Sequence, residues 1–186
     1  MMGYTLSSST LASILNSCKS DPGLAWEPVF FSEPQAKIIS AMTEGILPKT
    51  DTPGAREVMA DRFVDKMVAE VLSREEQGHF MKGMKSFEQE CEQTYGKSFT
   101  ELSEDQQTEL LNKYDQQTTP MMGSIWGFSV EPVDGPPPFF RVLKDFTLLG
   151  YFSSEEVAQH LLSYDPVPGA YLPCIPLAEI GNAWAE

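Results

Sequence analysis

The sequence predicts a mainly α fold, an irregular bundle of about five to six helices with an extended, proline-rich C-terminal tail. Three observations carry that prediction. Capping boxes, in which a serine is followed three residues later by Gln or Glu, stand at Ser32 with Gln35, Ser73 with Glu76 and Ser103 with Gln106; each marks a helix start. Apolar residues then recur at three- and four-residue spacing behind the boxes. The apolar–polar alternation of half-buried strands is nearly absent.

The chain has 186 residues, 41% of them hydrophobic and 11% aromatic, which is enough bulky material for one packed core. Lys and Arg number 13 against 27 Asp and Glu, a formal charge of −14. Such a chain repels phosphate backbones and anionic lipid surfaces, and it carries no basic run, so nucleic-acid binding is excluded as a working idea.

Residues 1–29 read as a truncated export or lipoprotein signal with a linker, and residues 30–186 as a single helical domain with its tail. The first 17 residues, MMGYTLSSSTLASILNS, carry no Lys, Arg, Asp or Glu and run straight into Cys18. Leu15-Asn16-Ser17-Cys18 fits a lipoprotein cleavage site at Leu15 and Ser17, Asn16 is a less usual choice, and the positive leading segment of a complete signal is missing. Cys18 is therefore the candidate lipidation site; the alternative is a frayed N-terminus with an incidental cysteine. Residues 19–29 hold Asp21-Pro22-Gly23 and Pro28, linker chemistry.

The first helix is predicted from Ser32, with Pro34 in its first turn and Ile38, Ile39, Met42 and Ile46 on one face, ending at Pro48. A polar loop over residues 49–54 follows. The second helix is predicted over residues 55–72, with Met59, Phe63, Met67 and Val71 as its apolar stripe, flanked by Val64 and Val68. Ser73 opens the third, the cleanest amphipathic signal in the chain: Phe80, Met84, Phe87, Cys91 and Tyr95 on one side and Lys85, Glu88, Gln89 and Glu92 on the other, stopped by Gly96. Ser103 opens a short helix with Leu110, Leu111 and Tyr114 inside. Residues 118–138 are irregular, and Gly135-Pro136-Pro137-Pro138 cannot be helical. A further helix is expected over residues 139–151, with Phe140, Leu143 and Thr147 on one side, and a last one capped by Ser153 through Val157, Leu161 and Leu162. Pro166, Pro168, Pro173 and Pro176 make the tail extended.

Chemistry-bearing patterns are scarce. His79 and His160 each stand alone, without the convergent ligands a metal site needs. There is no Cys-x-x-Cys-His, no Gly-x-Gly-x-x-Gly, no Gly-x-Ser-x-Gly and no P-loop. Glu88 to Glu92 reads as a solvated face around Cys91, because helical geometry spreads those side chains. Asp61 and Asp65, one turn apart and with Asp51 in reach, read as balancing Arg62 and Lys66 in preference to binding a cation. Cys91 packs as a small hydrophobe, and a bridge from it to Cys174 in an oxidising compartment is the lesser reading. No catalytic, cofactor-binding or metal residue is assigned, and no cofactor is expected on this chain.

Residues 126–140 and 165–184 are rich in aromatics and proline without periodicity. Two readings stand side by side. Either Trp126, Phe128, Phe139, Tyr171 and Trp184 are anchors that dock a partner, or these stretches cover the domain's own core. Tyr151 and Phe152, at a helix junction, read as core.

Several of these segments together resemble a known family. Phe30-Phe31-Ser32, the loop Ile46-Leu47-Pro48-Lys49-Thr50-Asp51-Thr52-Pro53-Gly54-Ala55, the helix bearing Phe63 and Asp65, residues 99–102 before a Gln-rich helix, Gly150-Tyr151-Phe152, and the closing Tyr171, Cys174 and Pro176 occur in the order found in the gluconate 2-dehydrogenase subunit 3 family. The similarity spans roughly residues 30–177. It implies a non-catalytic small subunit of a periplasmic oxidoreductase complex, supporting export, assembly or anchoring of a flavin-bearing large subunit that oxidises a sugar or sugar acid, with a c-type cytochrome subunit often taking the electrons. Members commonly carry a twin-arginine export signal, and no arginine pair precedes Gly3 here. Membrane association is expected through a lipid at Cys18 or through the partner only. The alternative is a free-standing periplasmic lipoprotein that binds a small ligand in its helical core.

Overall fold

The computed structural model describes residues 24, 26–117, 137–163, 169, 174, 176, 179 and 181–183. Among them the chain forms six α-helices, one 3-10 turn and no strand. In order these are α1 (Glu33–Ile46), α2 (Ala60–Glu70), α3 (Arg74–Tyr95), the 3-10 turn (Phe99–Glu101), α4 (Glu104–Gln117), α5 (Phe139–Phe152) and α6 (Glu155–His160). None is long and apolar enough to cross a membrane.

All three predicted capping boxes form. The backbone N–H of Ser32 donates to Gln35 Oε1 at 3.1 Å, that of Ser73 to Glu76 Oε2 at 2.8 Å, and that of Ser103 to Gln106 Oε1 at 3.1 Å. The Ser73 hydroxyl and N–H hold the Glu76 carboxyl below its usual range. Gly96 closes α3 in the left-handed region, φ 65°, where a Cβ would be penalised.

The main core forms around α3. Phe80, Met84, Phe87 and Cys91 are each 2% exposed or less, as their spacing predicts, while Tyr95 at the helix end is half-buried. α5 lies across α2 and α3, and α1 packs on α2, α4 and α5. Phe87 is the hub of an aromatic cluster, 5.2 Å from Phe99 and 5.1 Å from Tyr114 between ring centroids. Burial, reinforced by the neighbouring Glu90 carboxylate, pushes the Cys91 thiol up to about 11. Cys91 and the exposed Cys174 are both free thiols, so no bridge joins them. A smaller apolar cluster gathers Ala55, Val58, Ala60, Tyr151 and Val157, with Leu47, Leu161 and Leu162 against it.

Five expectations about packing and element bounds need correction. Phe152, read as core together with Tyr151, is 47% exposed, whereas Tyr151 is buried. Phe139 is a core residue and not an exposed anchor: it is 6% exposed and meets Phe80 edge-on at 4.9 Å. α2 starts at Ala60, not at residue 55, because Met59 is left-handed at φ 59° and residues 55–59 form turns instead. The inward face of α2 is Ala60, Asp61, Val64, Asp65 and Val68. The ends of the predicted stripe stand out in solvent, Met59 at 51% and Val71 at 59% exposure. Finally, Ser154 and not Ser153 caps α6: Ser154 Oγ accepts the Val157 N–H at 3.4 Å, whereas Ser153 Oγ donates back to the Leu149 carbonyl at 2.6 Å.

Candidate functional site

Among the described residues the two inward-facing aspartates of α2 have no basic partner. Asp65, 1% exposed, accepts three backbone N–H groups from the segment that leads into α1: Val29 to Oδ2 at 2.6 Å, and Phe30 and Phe31 to Oδ1 at 3.0 Å each. A carboxylate holding successive amides in this way satisfies its charge without a cation. It also turns Phe31 inward, where its ring lies 5.8 Å from that of Phe80. Asp61, 5% exposed, accepts the Ser40 hydroxyl of α1 at 2.7 Å and its neighbour's N–H, that of Arg62, at 2.9 Å. The expected balancing of Arg62 and Lys66 by these acids does not occur. Asp51 is exposed on the loop, away from the inward face that the other two share.

That loop, between α1 and α2, is held by carboxylates at both ends. Glu44 Oε1 accepts the Lys49 N–H at 3.1 Å and Oε2 the Arg56 N–H at 3.0 Å. Glu57 Oε2 accepts the Gly54 N–H at 3.1 Å while Oε1 pairs with Lys49 Nζ; the lysine, then the Gly54 N–H, hold the Glu57 carboxyl below its usual range. A Cβ on Gly54 would fall 2.4 Å from a Glu44 carboxylate oxygen, so a side chain there would push Glu44 off the two amides it accepts. Leu47 and Ala55 close the loop by a backbone hydrogen bond of 2.9 Å.

α5 completes the arrangement. The Tyr151 hydroxyl donates to the Pro53 carbonyl at 2.8 Å. One residue earlier, a Cβ on Gly150 would meet the Phe63 ring at 2.7 Å, so glycine lets α5 lie directly on α2. At the loop's exit Met59 sits in the left-handed region with a half-exposed side chain. A non-glycine residue there carries strain of about 1–2 kcal/mol, and Met also brings no hydrogen-bonding oxygen to cap α2.

Several of the segments singled out in the sequence are thus joined along α2: the aromatic lead-in through Asp65, and Gly150 with Tyr151 through Phe63 and the loop at Pro53, whereas Phe99 and Leu102 pack in the main core. A family model described as gluconate 2-dehydrogenase subunit 3 matches residues 33–169. The chain belongs to the gluconate 2-dehydrogenase subunit 3 family. No curated protein and no solved structure gives a significant match.

In this subunit 3 chain the clustered residues act as a brace. Their carboxylates and hydroxyls are engaged with backbone groups and with one another, and no buried side-chain nitrogen or oxygen among the described residues lacks a hydrogen-bond partner. Elsewhere His79 lies 3.9 Å from Glu75 and His160 3.6 Å from Glu156, each exposed and beside a glutamate one turn back. Among the described residues no group of three or more His, Cys, Asp or Glu is placed to hold a metal ion. Glu88, Glu90 and Glu92 diverge around α3. Burial raises the Glu88 carboxyl, whereas Lys113 and then Tyr114 hold Glu90 low. Between α3 and α4 an open surface groove of about 470 Å³ is lined by Glu90, Thr94, Tyr95, Glu109, Asn112 and Lys113 among others. Cys18, Trp126, Phe128, Tyr171 and Trp184 lie outside the described residues.

The brace itself was not foreseen. Asp65 and Tyr151 stand within the family segments, but that their partners are the amides of residues 29–31 and the Pro53 carbonyl has no signature in spacing or composition. The usable hint is that both aspartates of α2 fall one turn apart beside Val64 and Val68, on the face that packs.

Proposed function

We infer that this chain is a non-catalytic subunit that supports export, assembly or anchoring of a flavin-bearing dehydrogenase subunit in a periplasmic gluconate 2-dehydrogenase-type complex, with a c-type cytochrome as a further partner. Family membership supports the complex. The observation that supports a structural role is the brace: the family's distinctive residues among those described hold a loop and a helix in place through internal hydrogen bonds, and their carboxylates and hydroxyls are engaged there. A lipid on Cys18, or the partner itself, supplies the link to the membrane.

The test is co-expression of the flavin-bearing subunit with and without this chain in a host lacking both. The expected outcome is that, without this chain, the flavoprotein fails to reach the periplasm in assembled, flavin-loaded form. Full periplasmic assembly and dehydrogenase activity in its absence would overturn the reading. Mass spectrometry of the mature chain tests the anchor, with a lipidated Cys18 as its first residue as the expected result.

A further inference from the structure

Leu24 and Trp26 fall between Asp21-Pro22-Gly23 and Pro28, the linker chemistry of the sequence, yet both are half-buried and pack against the main core. Phe30 packs there too, and Phe31 is buried in it at 5% exposure. The described residues of this stretch form no helix or strand. One side chain ties their backbone to the fold: Asp65 accepts the N–H groups of Val29, Phe30 and Phe31. Among the described residues no other hydrogen bond joins residues 24–31 to another part of the fold. Val29 shows how narrow the hold is, because Asp65 takes up its N–H while its side chain is 66% exposed. Asp65 belongs to α2, so the hold exists only once α2 has docked.

The same stretch offers four sites to endoproteases that cut after large apolar residues, Leu24, Trp26, Phe30 and Phe31, inside eight residues. Such an enzyme needs the backbone drawn out with its N–H groups free, which requires local opening of a folded chain. We propose that residues 24–31 form a strap latched by Asp65, and that the latch keeps the N-terminal segment, with Cys18, on the chain. A molecule whose α2 has not docked is cut in the strap and loses that segment. The step is hydrolysis of one peptide bond by an endoprotease and water; the released segment gains a carboxylate and the domain a new amino terminus. The consequence for the membrane rests on the anchor reading above: with a lipid on Cys18, only chains with α2 in place stay anchored.

The experiment treats the full chain with chymotrypsin under native conditions and reads the cut positions by mass spectrometry. Cutting after Leu24, Trp26, Phe30 and Phe31 is expected to be about tenfold or more slower in wild type than in Asp65→Ala, since its rate follows the open population, with Asp65→Asn between the two. Asp61→Ala is the control. Asp61 is also buried, one turn earlier, but holds the Ser40 hydroxyl and not the strap, so its loss is expected to leave strap cutting near the wild-type rate. Circular dichroism checks folding, and Asp65→Asn carries the test if Asp65→Ala does not fold. Strap cutting in wild type as fast as in the Asp65 variant, or equal acceleration by Asp61→Ala, would overturn the latch. In the native host, Asp65→Ala should be recovered with its first residue between 25 and 32, while wild type keeps the chain from Cys18 onward. An Asp65→Ala chain that still carries Cys18 there would overturn the proposal. A wild-type chain that keeps Cys18 without lipid, beside a cut Asp65→Ala chain, would support the latch and overturn the anchor reading alone.

Discussion

α2 and α3 are neighbours in sequence and both pack against α5, yet they bury opposite kinds of side chain. α3 buries Phe80, Met84, Phe87 and Cys91 and keeps its glutamates at the surface. α2 buries two aspartates beside Val64 and Val68 and leaves Met59 and Val71 in solvent. The apolar helix gains by removing surface from water. α2 gains in the same way from Val64 and Val68, and tolerates its buried acids because each carboxylate meets hydrogen-bond donors. Burial alone therefore does not say what a helix contributes; the first is a wall of the core and the second is a clamp.

The sharpest way to break the comparison is on the apolar side. Phe87→Ala removes the hub of the aromatic cluster and is expected to lower stability by about 3–5 kcal/mol, read from the denaturant midpoint. A loss below about 1 kcal/mol would mean that the α3 face is not the centre of the core.

On the acidic side, Asp65→Ala leaves the amides of Val29, Phe30 and Phe31 without their acceptor and is expected to cost about 2–4 kcal/mol. Asp65→Asn, which keeps one acceptor oxygen, should cost less. Hydrogen exchange supplies the specific readout: those three amides should lose protection before the amides of α3 do. Unchanged protection in Asp65→Ala would show that the clamp holds nothing.

The smallest effect contrasts a surface acid with the buried ones. Glu90 on α3 accepts the Tyr114 hydroxyl at 2.7 Å and pairs with Lys113 on α4. Those partners hold its carboxyl below the usual value, Lys113 more than Tyr114. A lowered folded-state pKa contributes stability that is present above the unfolded value and is lost as pH falls through the folded one. Glu90→Gln is therefore expected to be less stable than wild type at pH 7, by less than about 1 kcal/mol because the pair is partly exposed. The gap should close on acidification. A gap that stays constant down to acid would assign the effect to packing of Glu90 instead of its charge.

How legible each region was in the sequence follows from the same contrast. α3 could be read because its cap, its apolar spacing and its Gly96 stop are all local, and local chemistry decides them. On α2 the spacing of Met59, Phe63, Met67 and Val71 picked out a real periodicity but the wrong centre for the buried face. Periodicity counts aspartate as polar and so as outward. Asp65 points inward because its partners are amides 34 to 36 residues away, and no local pattern announces that. The left-handed Met59 could not be foreseen either, since methionine is not a residue that favours such a position. The family segments marked the right places, and the geometry supplies their reason.

The hydrogen bond from Tyr151 to Pro53 joins residues 98 positions apart, and that separation has a consequence in time. Contacts this distant in sequence form late, because the chain between them must first be ordered or looped out. On a growing chain, α1 to α4 are available to associate well before α5 emerges; the loop through Pro53 is then held only by Glu44, Glu57 and its own backbone, and its small apolar cluster still lacks Tyr151 and Val157. A chain interrupted before α5 would hold most of its helices and present that loop without its tie to α5. The shape of this end of the molecule is thus a mark that α5 has been made and docked, available to any partner that binds only after that step.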